Sequence, residues 1–229
     1  MSRPSGVLSG VPSGAAASRQ QGFSLVELII ALTLLVLVLG LPAMILRSSS
    51  MAYSTGTSTG EIDLSSRRSL DLLASRLVSS ALGRIPAAAA GPDVPHTAVT
   101  FQVATGFDGD ATVWAPDERI ALEPEPGEAV DGADNDGDGL VDEHRIVLIR
   151  DLGLATERTT VVCRRVARSL EGELPGNGLD DNGNGFVDEG GLLIAFDGER
   201  VLLALTLERR DAFRAPIVST AQRTIALRN

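Results

Sequence analysis

Three aspartates, Asp134, Asp136 and Asp138, stand at alternate positions of the stretch DGADNDGDGLVDE (131–143). At an offset of 46 residues, NGLDDNGNGFVDE (177–189) puts Asp180, Asn182 and Asn184 in the same slots. The two stretches align without gaps; 7 of 13 positions are identical and 4 more differ only as Asp against Asn. Such a pattern keeps a side-chain oxygen and varies its charge, which suits a hard, oxygen-ligated cation better than a catalytic pair of acids. The first stretch holds 6 acids, which repel one another unless a cation lies among them. Asp/Asn/Gly clusters also make hairpin turns, so a purely conformational role is the alternative.

Other chemistry is sparse. His96 and His144 are the only histidines, and no G-x-S-x-G, H-E-x-x-H or Walker-type motif occurs. A lone histidine beside carboxylates is more often a surface residue than a base, so a non-enzymatic role is expected. Cys163 is the single cysteine, which rules out an internal disulfide. Acids number 30 against 20 cationic side chains, all of them arginine. An acidic chain without clustered Lys/Arg argues against nucleic-acid binding.

The loops resemble EF-hand-like and thrombospondin-type calcium motifs, and the resemblance implies two Ca²⁺ sites. In the first, Asp134, Asp136 and Asp138 would supply side-chain oxygens, Gly139 the bend and Leu140 its carbonyl. Asp180, Asn182, Asn184, Gly185 and Phe186 would do the same in the second. The twelfth position departs from the EF-hand, being Arg145 in one loop and Gly191 in the other. Closure is therefore assigned to Asp142-Glu143 and Asp188-Glu189, with Val141 and Val187 expected to tuck into the core. The more charged first loop is expected to bind more tightly.

One further carboxylate stands out. From Leu28 to Leu46 there are 19 uncharged residues, long enough for a membrane-crossing helix, and Glu27 sits just before them. A carboxylate there needs a partner or a functional reason. A secretory signal peptide fits less well, because its apolar core is shorter and ends at a small-residue cleavage site. The run GFSLVELIIAL resembles the signature of type IV prepilins and pseudopilins. That resemblance implies cleavage between Gly22 and Phe23 by a prepilin peptidase, and N-methylation of Phe23. It also implies that Glu27 neutralises the new α-amine of a neighbouring subunit during assembly. Gly40 and Pro42 fall where pilin helices commonly loosen. The leader, residues 1–22, departs from the family pattern in being long and sparsely basic.

Those groups require positioning elements. Residues 23–46 are read as a transmembrane and polymerisation helix. Residues 47–86 are its amphipathic second half, with a Ser/Thr/Gly-rich frayed or hinge segment at 48–60. Leu70, Leu73, Leu77 and Ala81 share one face, and Gly83 and Pro86 close the helix. Residues 87–229 form a β-rich head. Strands are expected at Thr97–Val103, Ala111–Trp114, Arg145–Arg150, Thr159–Val166, Leu192–Phe196 and Arg200–Leu207, with a last strand in QRTIALRN. The Asp197-Gly198 turn marks a hairpin, and the apolar character of both faces of 201–207 marks a central strand. The expected class is α+β: a long spine helix on an antiparallel sheet.

RRSLDLLASRL and the C-terminal ending resemble J-type minor pseudopilins of type II secretion and PilW-type minor pilins. The resemblance implies a single-pass inner-membrane protein with a periplasmic head. Its partners would be other pseudopilins or pilins and the inner-membrane assembly platform. A calcium-binding, membrane-anchored surface protein that never polymerises is the reading from a different class.

Overall fold

The structure, a computed structural model, describes residues 22–92 and 94–227. The leader up to Gln21 and the last two residues of the expected terminal strand lie outside them. Its contacts divide the chain into two units, Met1–Ser48 and Ser49–Asn229. Helix α1 is assigned over Leu25–Val78.

In the first unit α1 carries the apolar run. It stays helical at Gly40 and through Pro42, although proline removes one backbone donor. The large apolar side chains from Phe23 to Leu46 are exposed, each more than half so. α1 is the described helix long and apolar enough to cross a membrane.

In the second unit the Ser/Thr/Gly-rich stretch 48–60 is also helical. Its hydroxyls turn back on the helix: Thr57 donates to the Tyr53 carbonyl at 3.0 Å and Thr59 to the Thr55 carbonyl at 2.8 Å. Such back-bonding satisfies side chains that otherwise favour caps and turns. Beyond it, Ile62, Leu70, Leu73, Ala74 and Leu77 form the buried stripe. The last turn tightens, with the Ser79 amide on the Arg76 carbonyl and the Ser80 amide on the Leu77 carbonyl. The helix thus stops at Val78, before the expected Ala81. Gly83 and Pro86 fall in two short 3₁₀ turns, Leu82–Arg84 and Pro86–Ala90.

Nine strands follow among the described residues: β1 (Ala98–Phe101), β2 (Ala104–Asp108), β3 (Ala111–Trp114), β4 (Glu118–Pro124), β5 (His144–Arg150), β6 (Arg158–Val166), β7 (Leu192–Asp197), β8 (Arg200–Arg210) and β9 (Pro216–Ala226). β2 and β3 make a separate hairpin; the other seven form one antiparallel sheet, ordered β1-β4-β5-β6-β8-β7 with β9 also on β8. β8 is the central strand its two apolar faces suggested. β9 runs along it from Arg200 to Arg210, β7 pairs with its first half, and β6 touches it at Leu207. The chain before β1 closes onto β7, where His96 and Ile194 exchange two backbone bonds of 3.0 Å. β4 was not expected, because its flanking acids and prolines read as loop. Yet Ile120 is fully buried between β1 and β5.

Val201, Leu203, Leu205 and Leu207 of β8 join the α1 stripe in the main core. Each such side chain contributes on the order of 1.5–3 kcal/mol. The flanking ion pairs Glu61–Arg209 and Asp71–Arg223 contribute less, since pairs with exposed members are worth roughly 0–1 kcal/mol. Apolar burial therefore holds the helix on the sheet. The opposite face of β7 and β8 carries a second cluster, in which Leu170, Leu193, Ala195 and Ala204 meet Phe186 and Leu202.

The junction where β6 and β7 both meet β8 is close. A Cβ on Gly191 would lie 2.0 Å from the Ala167 carbonyl oxygen. Gly191→Ala is expected to destabilise the detergent-solubilised chain by about 2 kcal/mol or more, as overpacked sites do. Gly56→Ala, on α1 with open space around it, should be neutral or stabilising by up to about 1 kcal/mol. Denaturant unfolding of the two variants checks the contrast.

Candidate functional site

The acidic repeat is longer than its ungapped alignment. Each loop begins with a Gly-Glu pair, Gly127-Glu128 and Gly172-Glu173, joined to the rest by segments that differ by one residue. Both glycines have positive φ, 103° and 86°, and press on the loop: a Cβ would lie 3.3 Å from Asp136 Cβ and 3.2 Å from Asn182 Cβ. Glu128 Oε1 accepts the Asn135 and Asp136 amides; Glu173 Oε2 accepts the Asp181 and Asn182 amides. The base of each loop is clasped alike, by the Glu125 amide on the Glu143 carbonyl and the Leu170 amide on the Glu189 carbonyl. Sequence reasoning missed Glu128 and Glu173 because one inserted residue moves them out of register.

Within the loops the bonding is repeated residue by residue. The Asp134 carboxylate accepts the Gly137 and Gly139 amides, and that of Asp180 accepts those of Gly183 and Gly185. Asp136 and Asp138 each accept the amide two residues on, as do Asn182 and Asn184. The Leu140 and Phe186 amides are therefore engaged. Leu140 is buried and Phe186 covers the outer cluster, whereas Val141 and Val187 are 42% and 46% exposed. This corrects the expectation that the valines enter the core: the preceding apolar residue does so.

Asp142 and Asp188 adopt positive φ, 55° and 53°, and turn back to the loop start. Asp142 Oδ1 accepts the Asp131 and Gly132 amides at 2.9 and 2.8 Å, and Oδ2 pairs with Arg168 at 2.7 Å. The Gly132 amide, with help from the Asp131 amide and Arg168, holds the Asp142 carboxyl below its ordinary range despite burial. Asp188 receives the Asn177 and Gly178 amides. Both residues expected to close the loops around an ion thus already tie the loop ends together.

The glutamates beside them point elsewhere. Glu143 is 1% exposed, and its Oε2 has no hydrogen-bond partner. Carboxylate oxygens of Glu128, Asp136 and Glu143 lie within 4.8 Å of one another, as do those of Asp134, Asp136 and Asp138. Burial pushes the Glu143 carboxyl up to about 7, and the charges of Asp138, Glu128 and Asp136 add to the rise. A cleft of about 500 Å³, lined among others by Glu61, Asp136, Asp138, Glu143 and Arg164, opens beside them. In the second loop, Glu189 Oε1 accepts the side-chain amides of Asn182 and Asn184. The five acids of the first loop could hold a hard divalent cation. His144 is half-buried in β5, where burial pushes its pKa down.

At the other end of the chain, Ser24 precedes the first residue of α1, and its hydroxyl accepts the Glu27 amide at 3.4 Å. Glu27 stands in the first helical turn, where a carboxylate complements the helix dipole. Ser24 and Glu27 have the spacing of a capping box, a signal readable in the sequence but masked there by the apolar run. Gly22 and Phe23 precede the helix and are exposed.

Asp142→Ala would leave two amides and Arg168 without their shared acceptor. Because the Arg168 side chain is 45% exposed, the expected loss is about 2–3 kcal/mol rather than the larger cost of a fully buried pair. Denaturant unfolding should show this loss with or without divalent cations; a loss seen only in their presence would make Asp142 a ligand instead.

Residues 17–41 match the family model of the prokaryotic N-terminal methylation motif. No curated protein and no solved structure matches the chain. The matched segment spans Gly22, Phe23, Ser24 and Glu27 together with the first turns of α1, so the chain carries a prepilin-type N-terminal signature ahead of an α+β, pilin-like arrangement.

Proposed function

We propose that this chain is a minor pseudopilin of a type II secretion system, a structural subunit built from the inner membrane into the pseudopilus, near its tip. The observation that carries the reading is the methylation motif over residues 17–41, which runs into α1, the described helix apolar enough to cross a membrane, ahead of a folded β head. The exposed apolar side chains of 23–46 call for two covers in turn: lipid before assembly and neighbouring subunits after it. Cleavage before Phe23 creates a cationic amine, and Glu27 of an adjacent subunit neutralises it where the low dielectric makes either charge alone costly. RRSLDLLASRL and the chain's C-terminal ending support a J-type minor pseudopilin. The same segments support a minor pilin of a type IV pilus as the second reading.

The head carries the two loops as calcium sites in this reading. Extracellular oxygen sites bind calcium at about 10⁻⁴–10⁻³ M, and binding favours the folded state by mass action.

Mass spectrometry of the membrane-extracted protein should find an N-methylated Phe23 terminus. An intact leader or a cut near Leu46 would overturn the prepilin reading. Glu27→Gln keeps a side chain able to cap α1 while removing its charge. It should leave the chain membrane-bound and folded yet abolish crosslinking to neighbouring pilin-like subunits; unchanged crosslinking would favour the non-polymerising surface protein. Millimolar calcium should raise the unfolding temperature of the detergent-solubilised chain, and magnesium should raise it less, since it holds its water more tightly. Equal effects of the two ions, or none, would remove calcium from the reading.

A further inference from the structure

The two loops differ at the atoms that face inward. We infer that the first loop alone is a calcium site, with Glu128 and Glu143 as its inner ligands, and that the second is an ion-free copy closed by the amides of Asn182 and Asn184. The inference rests on the calcium reading of the head and narrows it.

The backbone decides what each slot can offer. At Asp136 and Asp138 one carboxylate oxygen is spent on the amide two residues on, at 2.9 Å in both cases. The second oxygen of Asp136 stays available, and Asp136 belongs with Glu128 and Glu143 to a group whose carboxylate oxygens are within 4.8 Å of one another. The second oxygen of Asp138 is 3.8 Å from Arg165 Nε. Asn182 and Asn184 make the same turns with their only oxygen, at 3.0 and 2.8 Å. Their remaining atom is an NH₂ group, which cannot ligate a cation. Both NH₂ groups donate to Glu189 Oε1 and stand where a cation would; Glu189 Oε2 is the one oxygen of Glu173 and Glu189 left buried without a donor.

The upstream glutamates divide in the same way. Glu173 has both oxygens engaged by backbone amides, those of Asp181 and Asn182 on one and that of Asp188 on the other. Glu128 spends only Oε1; its Oε2 is buried without a partner, like Oε2 of Glu143. The two residues are 9% and 1% exposed. Two uncompensated buried carboxylate oxygens in one cluster call for a cation. The adjoining cleft gives the ion an entry path.

Equilibrium dialysis of calcium against the full chain in detergent tests this, with the Phe23 terminus of the same preparation read by mass spectrometry. One calcium ion per chain is expected, weakened more than about tenfold by Glu143→Gln and by Glu128→Gln. The double variant Asn182→Asp/Asn184→Asp should bind a second ion, because it restores inward oxygens. Two ions on the unaltered chain, or no second ion on the double variant, would overturn the inference and leave calcium binding standing. No calcium at all would overturn both, while the Phe23 result reports on the prepilin reading independently.

Discussion

The whole of the second unit depends on one apolar contact, the stripe of Ile62, Leu70, Leu73 and Leu77 against the inward face of β8. Everything that shapes the head is attached to that strand: β7 and β6 along one edge, β9 along the other, and the outer cluster on its far face. The same helix in the first unit presents apolar side chains on every side. α1 is therefore two helices by solvent. One half is stabilised by a partner it already has, and the other needs lipid or neighbouring subunits to cover it. A Ser/Thr-rich stretch joins them, with hydroxyls that bond back to carbonyls of α1 and so are satisfied within the helix.

Much of this was legible beforehand. The amphipathic stripe, the central position of β8 and the α+β class follow from periodicity, because those segments are buried by regular faces. β4 was not legible: its Pro124 and flanking glutamates imitate a loop, and it becomes a strand only because β1 and β5 flank it on both sides. β9 reaches back to Pro216, well before the expected terminal segment, because β8 offers a full-length edge to pair with. The helix end came early because two serines follow Val78, and the last turn tightens onto their amides. In each case a tertiary partner outweighed the local signal.

The two acidic loops were legible in the sequence, and the roles of the residues at their ends were not. Alternating acids identify the loops. Which oxygen faces inward depends on positive φ at Asp142 and Asp188, which sends those carboxylates back to the loop entrance and leaves Glu143 and Glu189 to face the interior. Left-handed backbone at an aspartate leaves little mark in composition. The one-residue difference between the segments after Glu128 and Glu173 hides the remaining pair from any gapless comparison.

Asp and Asn are equivalent in one respect in turns of this kind and different in another. Both side chains support the same backbone bond, so exchanging them preserves the loop's shape. That bond occupies one lone pair of the amide's single oxygen, whereas a carboxylate keeps a whole second oxygen, charged and free of the turn. The two loops are nearly identical in amide bonding. Oε2 of Glu143 and of Glu189 is buried without a donor in both; what separates them is that Glu128 Oε2 also lacks one in the first loop, whereas Glu173 has both oxygens engaged and Glu189 Oε1 accepts two side-chain amides in the second. On the proposed calcium reading, shape and ion affinity are carried by different atoms of the same residues, so that one backbone design serves as a clasp on the outer face of the sheet and as a charged receptacle beside the cleft.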